Sequence, residues 1–154
     1  MKESGILLSL GTDGAQSNNT LDLLRDLRTG ILLQKLINDD ATFINAEEAV
    51  RLVTIEGAKS LGMDDQIGSL ECGKQADLIA VDMNHPNLRP FHNGTLKNIY
   101  ASAAYTITGA DISDSMVGGS WLMKDSQVLS LDADYIMMHA QKASSEILSK
   151  AGLL

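Results

Sequence analysis

Cysteine, long apolar runs and basic residues are all scarce in this 154-residue sequence, and each scarcity excludes a class of protein. The single cysteine, Cys72, cannot form an internal disulfide, which is typical of a protein from a reducing compartment. No apolar run approaches the roughly 18 residues of a membrane-spanning helix, and the opening letters MKESG do not begin a signal peptide. The composition therefore predicts a cytoplasmic protein with no membrane partner.

The charge balance restricts the possible partners further. The chain has 12 Lys and Arg residues against 20 Asp and Glu residues, which gives a formal net charge of −8. This excess of negative charge disfavours nucleic acid and anionic membrane surfaces as partners. A hydrophobic fraction of 44% over this length is enough for a globular domain with its own core.

The stretch LLSLGTDGAQSNN, residues 7–19, is the first candidate for chemistry. Its apolar half, Leu7 to Leu10, predicts a short buried strand, and Gly11 and Gly14 permit a sharp turn after it. Asp13 therefore follows the carboxyl end of a strand, where α/β folds place their functional side chains. An Asp-Gly pair also caps ordinary turns, so a purely structural Asp13 is the alternative at this point.

Two helices are predicted after this stretch. Leucine and isoleucine recur at helical spacing from Leu24 to Leu36, with Asn19 as the N-cap. A second helix begins after Asn45, because Asn45 and Glu48 have the spacing of a capping box, and it runs to Gly62.

The remaining sequence predicts short strands and one more helix. Strand candidates are residues 76–81 and the segment NIYASAAYTIT (98–108), and SMVGGSWLMKDSQVLSL (115–131) has the pattern of a three-stranded meander. Asp132 is the expected cap of a final helix. This order gives the first strand no parallel neighbour, and natural proteins avoid a lone apolar strand. The sequence therefore predicts a piece of a larger fold.

Two blocks, LGTDGAQSNNTLDLLRDLR and EEAVRLVTIEGAKSLGMDDQIGSLECGKQADLIAVDM, resemble the carboxyl-terminal part of amidohydrolase-superfamily enzymes. The subgroup that they resemble contains the S-adenosylhomocysteine and methylthioadenosine deaminases and the triazine chlorohydrolases. The resemblance implies an α/β plus β fold in three parts. These are the end of a (β/α)₈ barrel with residues 7–10 as its eighth strand (1–62), the carboxyl-terminal share of a small β-sandwich (63–131), and a carboxyl-terminal helix (132–154).

The resemblance also implies a metal site in the complete enzyme, occupied by Zn²⁺ or Fe²⁺. In that family a His-x-His pair and further histidines bind the metal, and the Asp of the G-T-D-G motif, here Asp13, is the last ligand. Asp13 would also accept a proton from metal-bound water, which then attacks the substrate ring. Ser17 and Asn18 extend the same loop on its substrate side, where they would support Asp13 or contact substrate. Helix capping explains the adjoining Asn19 equally well.

Histidine is too scarce for this site to be complete within the chain. None of the three histidines, His85, His92 and His139, lies in a ligand motif of the family. A separate metal site at His85 and His92 is the alternative, but the absence of any recurring ligand spacing favours surface histidines. We therefore expect the chain to hold no metal and to be inactive by itself.

Two hypotheses from different classes follow. In the first, the chain is the carboxyl-terminal fragment of a metal-dependent hydrolase that cleaves a C–N or C–Cl bond on a purine, nucleoside or triazine ring. In the second, it is an independent, non-catalytic module that serves association or binding. A phosphate-binding loop is disfavoured, because GTDG lacks the lysine and the spacing of a P-loop. Apolar surface on the first strand and first helix predicts that the chain on its own is a homo-oligomer, whereas a well-folded monomer would favour the second hypothesis.

Overall fold

A computed structural model describes residues 4–92 and 98–153, and this part of the chain contains five α-helices and four strands. The helices are α1 (Leu23–Ile37), α2 (Ala46–Leu52), α3 (Ile55–Ser60), α4 (Ile99–Tyr105) and α5 (Ala133–Lys150). The strands are β1 (Leu78–Val81), β2 (Ile112–Val117), β3 (Ser120–Lys124) and β4 (Gln127–Val128). None of the helices within the described ranges is both long and apolar enough to cross a membrane.

The core is helical and small. Leu27 and Ile31 lie four residues apart on one face of α1, and both are almost completely buried. They pack against Ala49 of α2 and Ala104 of α4, whose short side chains let the helix backbones approach closely. Because burying a side chain such as Leu or Ile contributes about 1.5–3 kcal/mol, these two residues stabilise the whole helical layer.

Side-chain caps begin α1, α2 and α5, although one predicted cap is wrong. Asn45 and Glu48 form the predicted capping box at α2, and the Asp132 side chain accepts a hydrogen bond from the Tyr135 amide at α5. The cap of α1 is Asp22 rather than Asn19, since the Asp22 carboxylate accepts from the amides of two first-turn residues. A short capping side chain must directly precede the helix, and Asn19 lies too far upstream.

The predicted second helix divides into α2 and α3. The Leu52 carbonyl accepts a hydrogen bond from the Leu10 amide at 3.4 Å, and the hydroxyl of Thr54 donates to the Val50 carbonyl. A tertiary hydrogen bond thus occupies the Leu52 carbonyl at the end of α2, and the β-branched Thr54 directly precedes α3. The predicted helix is divided at this point.

A salt bridge connects the two halves of the divided helix. The Glu56 carboxylate lies 2.7 Å from the Arg51 guanidinium and 3.2 Å from the Lys59 ammonium. These hydrogen bonds, the one to Arg51 first, hold the pKa of Glu56 below its ordinary value.

The strands form one antiparallel sheet in the order β1-β2-β3-β4. The predicted meander is confirmed, with turns at Gly118–Gly119 and at Asp125–Ser126 where all four residues have positive φ. Two successive residues with positive φ give the turn the twist that a tight hairpin needs.

Two predicted strands are wrong. Residues 7–10 form no strand, and Leu7 is exposed, because the described residues provide no strand beside them. The segment 98–108 contains α4 instead of a strand. Its small residues Ser102 and Ala104 are buried within the helical layer, so tertiary packing overrides the β-formers around them.

Much apolar surface is left uncovered in this structure. A compact monomer of 16.5 kDa exposes about 7,500 Å² by the usual scaling, whereas this chain exposes 10937 Å². No side chain of α5 is buried, and the outer part of α1 is equally open. Large exposed apolar side chains on these helices include Leu32, Leu33, Leu36, Ile37, Ile136, Met137, Met138 and Ile147.

We predict from this surface that the isolated chain self-associates. Size-exclusion chromatography with light scattering should give at least twice the monomer mass, because covering apolar side chains offsets the cost of association. Leu36→Glu should shift a dilution series toward monomer, whereas Gln34→Glu, which adds the same charge at an exposed polar position of α1, should not. A monomer that unfolds cooperatively would contradict this prediction and favour an independent module.

Candidate active-site loop

Asp13 lies in the loop that joins the extended residues 7–10 to α1. Its side chain is exposed, and its own backbone is left-handed, with φ of 59°. Neither Gly11 nor Gly14 has a positive φ, so the left-handed conformation falls on Asp13 instead of a glycine. The hydrogen-bonded turn follows at residues 15–17 and begins at the Gly14 carbonyl. Asp tolerates this left-handed conformation better than most residues, but the conformation still costs free energy. Residues with such backbone strain cluster at functional sites.

Ser17 is the direct partner of Asp13. The Ser17 hydroxyl lies 3.0 Å from Oδ2 of Asp13 and also 3.0 Å from the carbonyl oxygen of Gly14. A hydroxyl has one proton, and a bond to an ionised acceptor is the stronger of the two choices. Among the described residues nothing donates to Oδ1 of Asp13, which leaves that oxygen open for a ligand.

Asn18 anchors the other end of the loop to α1. Its side-chain amide donates to Oδ2 of Asp26 at 2.6 Å, and its Oδ1 accepts from the Thr20 amide, the Thr20 hydroxyl and the Leu21 amide. The backbone amides of Ser17 and Asn18 both donate to the Gly14 carbonyl, at 3.0 and 2.9 Å. Both polar ends of the Asn18 side chain are therefore engaged within the protein.

A second contact connects this region to the sheet. Oδ2 of Asp22 accepts from the backbone amide of Gly109 at 2.9 Å, three residues before β2 begins. Sequence reasoning missed both Asp22 and Asp26, because neither contact has a sequence signature and the Asp22 contact spans 87 residues.

The described residues do not complete a metal site. Within residues 4–92 and 98–153 there is no group of three or more His, Cys, Asp or Glu that could hold a metal ion. His85, His92 and His139 are all exposed, and none is hydrogen-bonded to Asp13. The carboxylate of Asp13 is a donor of the kind that zinc binds, so this loop fits one ligand position and no more.

The chain belongs to the amidohydrolase family, whose family model matches residues 1–122. It is 39% identical over 150 residues to a 5-methylthioadenosine/S-adenosylhomocysteine deaminase from Teredinibacter turnerae, a match that covers 97% of this chain and 33% of that protein. It is 41% identical over 144 residues to a 5′-deoxyadenosine deaminase from Methanobrevibacter smithii, covering 92% and 32%. The chain therefore spans about a third of the length of the curated relatives it matches.

Solved structures show the same fold. A zinc-bound adenosine deaminase from Xanthomonas campestris superposes with a TM-score of 0.87 at 30% identity, covering 96% of this chain and 33% of that one. A zinc complex of atrazine chlorohydrolase from Arthrobacter aurescens gives a TM-score of 0.77 at 25% identity, covering 92% and 30%. The family predicted from the two sequence blocks is thus confirmed.

We predict that the isolated chain binds no zinc stoichiometrically, because structural and catalytic zinc sites use three or four protein ligands and this loop supplies one. Protein stripped of metal and reloaded with Zn²⁺ would be assayed by elemental analysis. Asp13→Ala should leave the small residual uptake unchanged, as should Asp39→Ala at another exposed residue with positive φ. A tight one-to-one site that disappears in Asp13→Ala would contradict the prediction.

Proposed function

We propose that this chain is the carboxyl-terminal part of a metal-dependent deaminase that hydrolyses a C–N bond on a purine nucleoside. The observation that carries the proposal is the Asp13 carboxylate, which is held in a left-handed turn by Ser17 and keeps Oδ1 open at an exposed position. Among the described residues Ser17 bonds only Oδ2 of this carboxylate, and the open Oδ1 has the chemistry of a metal ligand.

Two features of the relatives favour a nucleoside over a triazine as the substrate. The relatives named as deaminases of 5-methylthioadenosine, S-adenosylhomocysteine or 5′-deoxyadenosine are 32–41% identical to this chain. The atrazine chlorohydrolase is only 25% identical, and its superposition is looser than that of the adenosine deaminase. Hydrolysis of a ring C–Cl bond is therefore the second candidate.

Asp13 has two roles in this proposal. Its carboxylate would bind Zn²⁺ or Fe²⁺ together with ligands that the described residues do not supply, and it would accept a proton from the attacking water. A bound zinc ion would lower the pKa of its water to about 7 and so supply the nucleophile at neutral pH. Ser17 holds Oδ2, so that Oδ1 is the oxygen presented to the site. Without the other ligands the chain alone is inactive.

The test is Asp13→Asn in the complete enzyme that contains this chain. Asn keeps the shape of the side chain but removes the negative charge and the proton acceptor, so kcat should fall by at least about 100-fold. The melting temperature should change little, because Asp13 is exposed.

Asp39→Asn is the matched control, since Asp39 is also exposed and has φ of 49°. It makes the same substitution in the same backbone conformation and should leave kcat unchanged. If Asp13→Asn keeps kcat within about tenfold, which is about 1.4 kcal/mol of transition-state stabilisation, the assigned role is wrong. Release of chloride from a chlorotriazine in preference to ammonia from adenosine derivatives would favour the second candidate.

A further inference from the structure

The contact between Asn18 and Asp26 is the tightest link between the Asp13 loop and the body of the protein. The distance from Nδ2 of Asn18 to Oδ2 of Asp26 is 2.6 Å, and both residues are partly buried. A hydrogen bond to an ionised acceptor is roughly twice as strong as a neutral one, and partial burial reduces the competition from water. Asp26 lies on α1, one residue before the buried Leu27, so it moves with the core.

This contact is connected to Asp13 through the backbone. The Gly14 carbonyl accepts from the amides of Ser17 and Asn18, which closes the turn that starts at Gly14, directly after Asp13. Ser17 in turn donates to Oδ2 of Asp13. The bond from the Asn18 side chain to α1 therefore also restrains the groups that are linked to Asn18. These are the Gly14 carbonyl, the Ser17 hydroxyl and the Asp13 carboxylate.

Capping and substrate binding account less well for Asn18. The N-cap of α1 is Asp22, so the helix does not need the Asn18 side chain for that purpose. Oδ1 of Asn18 accepts three hydrogen bonds from Thr20 and Leu21, and Nδ2 is committed to Asp26. A substrate contact would have to break part of this set.

We propose that Asn18 and Asp26 form a positioning pair that holds the Asp13 carboxylate in place for the reaction. The proposal rests on the role given to Asp13 above and adds to it a pair of residues that do not touch substrate. Misplacing a reacting group by about 1 Å can reduce the rate by about 100-fold, so a positioning pair acts on kcat and leaves substrate binding nearly unchanged.

The pair can be tested by exchanging its donor and acceptor. Asn18→Asp replaces the donor with a carboxylate beside that of Asp26, which breaks the contact and adds like-charge repulsion. The double variant Asn18→Asp with Asp26→Asn restores one hydrogen bond in the reverse direction and leaves the net charge as it was. The oxygen that accepts from Thr20 and Leu21 is retained in both variants. Asn87→Asp, at an exposed position of the turn before residue 90, is the charge-matched control.

The first readout needs no activity. In the isolated chain, amide hydrogen exchange at Ser17 and Asn18 should become at least about tenfold faster in Asn18→Asp, because the turn opens more often. The double variant should return exchange to within about threefold of the original rate. Asn87→Asp should leave both amides unchanged. Exchange rates that do not respond to Asn18→Asp would overturn the proposal.

The second readout is kinetic and uses the complete enzyme. Asn18→Asp should lower kcat by about 100-fold with KM within about twofold, and the double variant should recover kcat to within about threefold. A raised KM with unchanged kcat would mean that Asn18 contacts substrate, and failure of the double variant to recover would mean that the pair is not the cause. Either result overturns the positioning role while the Asp13→Asn result stands. If instead Asp13→Asn keeps its turnover, the proposed function fails, and the exchange data still decide whether the pair holds the loop.

Discussion

The packing of α1 against α2 and α4 through Leu27 and Ile31 is the constraint on which the rest of the structure depends. The candidate site is attached to α1 by Asp26, which directly precedes Leu27 in the helix. The Gly109 amide joins the sheet to the same end of α1. One buried helix face therefore places both the loop that carries Asp13 and the chain entering β2, although the core itself contains few large side chains.

Local chemistry accounts for the parts of the fold that sequence reasoning predicted well. The capping box at Asn45, the cap at Asp132 and the paired glycines at Gly118 and Gly119 involve groups within three residues of one another. Their free energies are already decided by the neighbouring residues, whatever the tertiary structure. The wrong predictions, in contrast, concern segments whose structure depends on residues distant in sequence. Whether 98–108 forms a strand or a helix depends on the packing of its small residues against α1 and α2, and both of those helices are distant in sequence.

The same distinction between local and distant interactions applies to the residues of the candidate site. The GTDG motif indicated Asp13, and Ser17 is four residues away, so both were accessible from a short window of sequence. Asp26 was not, because its partner Asn18 lies eight residues upstream and the helix register between them decides whether they meet. The extended residues 7–10 illustrate a further limit. Whether they form a strand depends on hydrogen-bonding neighbours that the described residues do not contain, so no property of the segment alone determines the answer.

The geometry of the Asp13 loop depends on residues within this chain, whereas the completeness of the candidate site depends on groups outside the described residues. The hydrogen bonds that orient Asp13 come from residues 12–26, so the turn can form within the chain itself. Under the proposed role of Asp13, the other metal ligands would come from outside the described residues, and within those residues the apolar face of α1 is uncovered. Each large exposed apolar side chain forgoes about 1.5–3 kcal/mol, which is a substantial fraction of the 5–15 kcal/mol that stabilises a whole domain. Under the proposed function the two needs would be linked, because a polypeptide that paired with residues 7–10 would cover apolar side chains and lie beside the segment that leads directly into Asp13.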